Sequence, residues 1–401
     1  MTLIIIGISL IIIGVLANYC GKLVEYIKLP SLIGMMLVGM LIGPAFLNLV
    51  PEVTLSLAPT LKDIALVAVL FIGGLGISLA QMKQIGRPAI LLSAVPATLE
   101  GFTIAIMAML LLKFSFIQGA ILGFIIAAVS PAVLIPSMID LIQRRVGQDK
   151  AIPQMLLVGA SADDTIAITL FTTFLSIYTQ GTNNETISIP VQLLMIPLTI
   201  AISIATGFII YKLSKPIIEH TQSSIGKVII AFGLCLVMRI IEKQFHLELF
   251  NSLLTVMIYG FLIRNYITSS SRFILDQMNT IWKTGKLYLF AFVGMAINPT
   301  LVGECFWVGL AILSISLTIR SLGVLISLIG TNLSFKERTF CIIAYLPKAT
   351  VQSAKAAIPL QMGVAGGEMM QAITILSVLI TAPIGAIGIK LTSDRLLHTE
   401  D

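Results

Sequence analysis

The chain has little charge and few of the side chains from which soluble catalytic centres are built. Asp, Glu, Lys and Arg make up only 11% of its 401 residues, against about a quarter in ordinary soluble domains, which excludes a water-facing surface of the usual extent. Its histidines, His220, His246 and His398, all fall in predicted loops or the tail, where a solvated surface position is the expectation and pH sensing the less favoured reading. Its cysteines, Cys20, Cys235, Cys305 and Cys341, are scattered without paired spacing, which argues against a metal site and against a disulfide framework. They read as small apolar packing residues. What the chain does have is hydrophobic sequence: 57% of its residues are apolar and the mean hydropathy is +1.02. Apolar segments of about 20 residues recur from end to end, each long enough to span a hydrocarbon layer of about 30 Å.

The pattern predicts an all-α polytopic membrane protein, a single transmembrane domain over residues 1–401 with no room for a soluble one. Thirteen transmembrane helices are expected, at 2–20, 30–48, 61–80, 88–112, 117–139, 150–178, 188–212, 224–240, 247–264, 277–297, 304–329, 336–360 and 368–391. Lysine and arginine concentrate in the loops after odd-numbered spans and at the C-terminal end, whereas the even-numbered loops hold only Lys62, Lys113, Arg239 and Lys243. Positive charge marks the cytoplasmic side, which places the N-terminus outside and the C-terminus in the cytoplasm. This bias accounts for the net charge of +6, so no nucleic-acid partner is expected. The first span follows Met1 with neither a basic leader nor a small-residue cleavage site, and is expected to be retained. The expected location is the plasma (cell inner) membrane, as a multi-pass protein.

Helix-breaking residues interrupt two of the spans at mid-membrane: Ser130-Pro131 with Pro136 in the fifth, Pro347 with Pro359 in the twelfth. Proline removes a backbone donor, and unwound backbone at that depth is tolerated only inside protein or beside a water-filled cavity. Broken helices in matching positions of two halves point to an inverted-repeat transporter, with spans four to six and eleven to thirteen as the halves. Prolines also kink ordinary membrane helices, and the charges decide between the readings. Inside the spans lie Glu100, Asp163, Asp164, Arg320, Lys348 and Lys355, all of them within the two halves. Three acids against three bases is the balance that a low-dielectric interior demands.

Asp163 and Asp164 stand side by side in LLVGASADDTIAITLFTTF. A charge at bilayer centre costs about 3 kcal/mol or more, so acids there usually face a water-filled cavity and handle cations or protons. An N-terminal helix cap is the bland alternative, and the pair lies too far inside the sixth span for that. Adjacent helical residues point about 100° apart, so the two cannot share one position, and one of them is expected to face a cation site where protons compete. Ser130, Ser161, Thr165 and unwound carbonyls near Ser130 could supply further oxygen ligands. Glu100 and Arg320 occupy equivalent places in the two halves, which suggests an ion pair that holds the scaffold. Lys348, directly after a break, could compensate the carbonyl end of a half-helix. A proton-carrying role for it is the alternative. Lys355 is expected to snorkel.

The segments VSPAVLIPSM, DKAIPQMLLVGASADDTIAITLFTTF and YLPKATVQSA resemble the monovalent cation/proton antiporter superfamily, nearest its sodium/proton branch with a double-Asp motif. PSLIGMMLVGMLIGP and VAVLFIGGLGI resemble it less specifically. The resemblance implies an inverted-repeat antiporter fold with two crossed discontinuous helices, working as an elevator-type homodimer. Transport helices would run over about 88–178 and 304–391, with dimer and scaffold helices over about 1–80 and 188–297. By position, Asp164 resembles the essential cation-binding carboxylate, Asp163 its neighbour, and Glu100 with Arg320 the buried ion pair. Many relatives carry an acid where this chain has Ala132 and Val133, and many electrogenic ones a lysine where Arg320 falls.

The expected function is exchange of Na⁺ or Li⁺ for H⁺ by alternating access, with Asp164 as the shared site and Asp163 beside it as the transported ion's other carboxylate. No cofactor is expected, since the cations are cargo. Potassium/proton exchange is an alternative, as is a cation channel lined by the same acids, although channels gain from rings of charge in symmetric subunits. A membrane-embedded enzyme would need a second catalytic constellation that the sequence lacks.

Overall fold

A computed structural model of the protein describes residues 2–26, 30–180, 189–245, 247, 249–296, 303, 305–349, 352 and 355–398, without the side chains of 81, 82, 84, 165, 176, 180 and 189–196. His246 and the Thr165 side chain therefore lie outside the described residues. Every regular element among the described residues is a helix. In chain order they are α1 (Thr2–Tyr26), α2 (Ser31–Ile42), α3 (Glu52–Leu55), α4 (Ala58–Leu75), α5 (Leu79–Leu112), α6 (Phe116–Ile126), α7 (Pro131–Gln143) and α8 (Ile152–Gln180). There follow α9 (Ile189–His220), α10 (Ser224–Gln244), α11 (Ser252–Tyr266), α12 (Thr268–Met295), α13 (Phe306–Ser327), α14 (Phe335–Ala344), α15 (Ile358–Gln361) and α16 (Gly367–Leu396). Among the described residues, nine helical stretches are long and apolar enough to cross a membrane, and Ser31–Ile42 is a shorter apolar helix.

The chain forms two compact units, Met1–Leu79 with Ile202–Pro299 and Ala80–Ala201 with Thr300–Asp401. In the first, small residues let helices approach to main-chain contact, the usual means of packing where lipid removes the hydrophobic drive. Gly39 on α2 lies against the Ala291 carbonyl of α12 and Gly294 on α12 against that of Met36, with no room for a Cβ at either. A charge network ties α4, α10 and α11 together in this unit. Asp63 accepts from Arg239 Nη2 at 2.9 Å and from Lys243, while Glu242 accepts from Arg239 Nη1 at 2.5 Å and from the Ser252 hydroxyl.

The second unit holds the two interrupted helices. Each starts on a capping box: the Ser115 hydroxyl accepts the Gln118 N–H, and the Ser334 hydroxyl the Glu337 N–H, while the Gln or Glu side chain returns to its serine's own N–H. The first interrupted helix unwinds over Ala127–Ser130, between α6 and α7, and the second from Tyr345 after α14. Both spans unwind where the sequence placed their breaks, directly before Pro131 and around Pro347, and the prolines differ in what they do there. Pro131 occupies the first turn of α7 and Pro359 that of α15, where a missing N–H leaves nothing unsatisfied. Pro136 sits inside α7 without ending it. The two breaks meet, with Ser130 N–H donating to the Pro347 carbonyl at 2.8 Å. Gly385 on α16 has no side chain to obstruct the Pro347 ring.

Candidate functional site

Around this meeting point the second unit buries its charges. Glu100 on α5, Arg320 on α13, Asp163 on α8 and Lys348 in the second break are all 0% exposed, and Asp164 is 6% exposed. Burial of this kind is tolerable only with partners, and the geometry supplies them. Arg320 Nη1 donates to Glu100 Oε2 at 2.5 Å and Lys348 Nζ to the same oxygen at 2.6 Å. Arg320 Nη1 also donates to the Ala127 carbonyl, and its Nε to the Tyr345 carbonyl at 2.6 Å. One guanidinium thereby touches both breaks. Its planar fork of five donors suits that task as a lysine would not.

Lys348 Nζ also reaches the Ala127 carbonyl at 3.2 Å, so the half-helix end it meets is that of α6 and not of its own span. Its main-chain N–H donates to the Thr381 hydroxyl of α16 at 2.9 Å. Gln352 completes the junction, donating its amide to the Ile126 carbonyl at 3.2 Å and the Ala128 carbonyl at 2.7 Å while accepting the Ala349 N–H at 2.9 Å. The carbonyls of Ile126, Ala127 and Ala128, candidates for ion coordination by their position in the sequence, all accept from protein donors. Gln352, Thr381 and Tyr345 escaped the sequence reading. Gln352 alone had a signal, a polar residue one helical turn beyond Lys348 in an interrupted span.

Asp163 Oδ2 accepts the Val129 N–H at 2.6 Å and lies 3.5 Å from Arg320 Nη2. This carboxylate therefore anchors the first break to α8. Asp164, the next residue along the helix, acts electrostatically with Asp163, Lys355, Lys348 and Arg320. Lys355 holds its ammonium 5.3 Å above the Phe171 ring. Ser161 donates back to the Leu157 carbonyl of its own helix at 2.9 Å. Buried oxygens of this cluster, Asp163 Oδ1, Asp164 Oδ1 and Ser130 Oγ together with Glu100 Oε1 and the Tyr345 hydroxyl, have no hydrogen-bond partner among the described residues. Buried oxygens left over in this way are suited to an ion or a water molecule.

Membrane-length helices, two breaks in contact and a buried charge cluster define an ion-transporting membrane protein. The comparisons specify it further. The model of the family described as sodium/hydrogen exchanger, transmembrane, matches residues 8–394. The chain is 31% identical over 406 residues to the sodium/hydrogen exchanger 9B2 of Homo sapiens, covering 95% of this chain and 74% of that protein. It is 27% identical over 397 residues to the human sodium/hydrogen exchanger 9B1, covering 94% and 75%. In fold it is similar to the sodium proton antiporter MjNhaP1 from Methanocaldococcus jannaschii, with a TM-score of 0.80 at 18% identity and 99% of each chain covered. The chain belongs to the sodium/hydrogen exchanger family.

Proposed function

We propose that the protein exchanges Na⁺ or Li⁺ for H⁺ across the membrane, with Asp164 as the carboxylate that holds cation and proton in turn. The observation that carries this reading is that buried oxygens on Asp163, Asp164 and Ser130 have no hydrogen-bond partner among the described residues. Hard oxygen donors are what a small alkali cation prefers, and two carboxylates give the site the negative charge to attract it. Asp163, fastened to Val129 N–H, serves as the fixed neighbour that completes the cation's ligands. Glu100, Arg320 and Lys348 hold the two breaks in register. Arg320 keeps its proton at physiological pH and Lys348 is committed to Glu100 and Ala127, which favours one proton per cation.

The unit of Ala80–Ala201 and Thr300–Asp401 is, on this reading, the transport body of an elevator, and the other unit the scaffold and dimer side of a homodimer. The N-terminus lies outside and the C-terminus in the cytoplasm of a plasma membrane.

The test is proton flux in proteoliposomes driven by Na⁺, Li⁺ or K⁺ gradients, for the wild type and Asp164→Asn. Flux driven by Na⁺ or Li⁺ and abolished by the substitution is expected. Cation leak without coupled proton movement would instead establish a channel, and K⁺-driven flux a different cargo.

A further inference from the structure

A second site lies in the same unit, away from the buried charges. A cavity of about 260 Å³ is lined by Ile85, Arg87 and Pro88 of α5, Lys150 and Met155 at the start of α8, and Gly330–Leu333 of the loop between α13 and α14. All three segments follow odd-numbered spans, the side to which positive charge assigns the cytoplasm. We infer that this cavity binds the phosphate-bearing headgroup of an anionic lipid.

The charge of the cavity supports this. Arg87 and Lys150 line it, and Arg338 stands behind the loop, donating to the Leu333 carbonyl at 3.0 Å and the Thr331 carbonyl at 3.1 Å. The acid in the group is Glu337, whose two oxygens both accept from Lys150 Nζ at 2.8 Å and which also takes the Ser334 N–H. With Asp149 beside Lys150 as a second acid, the three bases leave an excess of one positive charge. Donors are left over as well. Arg87 uses Nη1 on the Ile329 carbonyl at 2.8 Å, and a guanidinium has five N–H groups, an ammonium three. The Asn332 amide stands at the exposed rim.

The setting selects a lipid as the source of the anion. Apolar side chains of the same segments are open outward: Ile90 on α5, and Ile329 and Phe335 flanking the loop, the last 81% exposed. In a bilayer these meet acyl chains, so the cationic cavity opens where headgroups lie. Basic pockets between membrane helices on the cytoplasmic side are where anionic headgroups bind. The backbone shape is fixed too, because Gly330 has a φ of +79° with Arg87 Nη1 close to the place a Cβ would occupy. A headgroup here would join α5 to α8, the helices of Glu100 and the Asp pair.

The experiment is thermal unfolding of the full chain in detergent. Dioleoylphosphatidylglycerol, dioleoylphosphatidylcholine or inorganic phosphate is added to wild type, Arg87→Gln, Arg87→Lys, Asn332→Asp and, as a control that removes a base not lining the cavity, Lys283→Gln. Phosphatidylglycerol should raise the melting temperature of wild type, Arg87→Lys and Lys283→Gln by several degrees. Phosphatidylcholine should not, and the shift should vanish in Arg87→Gln. Asn332→Asp keeps every hydrogen bond described for the loop while placing a negative charge at the rim. It should lose the shift as well, which covers the case in which Arg87→Gln folds poorly. An equal shift in all variants would mean diffuse attraction and overturn the site. Stabilisation by inorganic phosphate, lost in Arg87→Gln, would keep the anion site and overturn the lipid as its source. None of these readings depends on transport, so the site stands or falls separately from the proposed exchange.

Discussion

The two interrupted helices of the second unit begin alike and end differently. Both open on Ser-Phe followed two residues later by Gln or Glu, SFIQ at 115–118 and SFKE at 334–337, and both close that turn as a capping box. At their breaks they part. The first contributes main-chain groups, the carbonyls of Ile126, Ala127 and Ala128 and the N–H of Val129. The second adds charged and amide side chains, Lys348 and Gln352, to its own main-chain groups, the carbonyls of Tyr345 and Pro347. One break thus supplies a fixed dipole, the carbonyl end of α6, and the other the charges and amides that satisfy it. A repeated scaffold becomes a site because its copies have diverged in what they offer at the junction.

The greatest expected effect comes from the residue that touches both breaks. Arg320→Leu removes the donors to Glu100, to Ala127 and to Tyr345 together, and leaves buried Asp163 without its nearest guanidinium. Breaking a buried pair in this way costs about 3–5 kcal/mol, to be read as a large fall in the thermal unfolding temperature in detergent. Lys348→Met should cost less, because Arg320 still serves both Glu100 and Ala127. Equal losses would mean that the second break holds the junction as firmly as the arginine does.

Gln352→Leu acts on the difference between the breaks alone. It strips a donor from two carbonyls of the first break and an acceptor from the Ala349 N–H of the second. Leaving buried groups of this kind unpaired costs about 1–3 kcal/mol. Sodium-driven flux should fall severalfold in reconstituted vesicles as the breaks lose their register. Lower stability with wild-type flux would show that the amide serves folding and not transport.

Much of this architecture was open to sequence reading and some was closed to it, for physical reasons. Apolar length marks helices because the bilayer sets a length scale, and a carboxylate in such a run stands out because its burial is costly. Proline is an ambiguous sign. Its missing N–H harms a helix interior and not a first turn, so Pro131 and Pro359 open helices, while Pro136 is absorbed inside one. Nor can a sequence show where a break's carbonyls point. Those near Ser130 read as free for an ion, and the structure assigns Ile126, Ala127 and Ala128 to Gln352, Lys348 and Arg320. Thr381 meets the Lys348 N–H across 33 residues of chain, a partnership that leaves no mark in local pattern. The twin SFIQ and SFKE turns, by contrast, were legible as a capping motif and would have fixed the register of the two repeat halves.

Those turns give the finest comparison. Ser115→Ala removes a cap whose partner is the Gln118 N–H, in a turn whose half-buried Gln118 side chain makes one neutral bond outward, to the Ala365 carbonyl, and should cost about 1 kcal/mol. Ser334→Ala removes the matching cap, yet its Glu337 is 4% exposed and already receives two bonds from Lys150. Losing the serine hydroxyl there leaves the Glu337 N–H without its cap in the turn whose carboxylate ties α14 to the start of α8, so the second substitution should be the more destabilising. Unfolding curves of the two variants in one detergent decide the matter. A larger loss at Ser115 would show that the caps act locally, and that the Lys150–Glu337 pair holds its place without help from the turn.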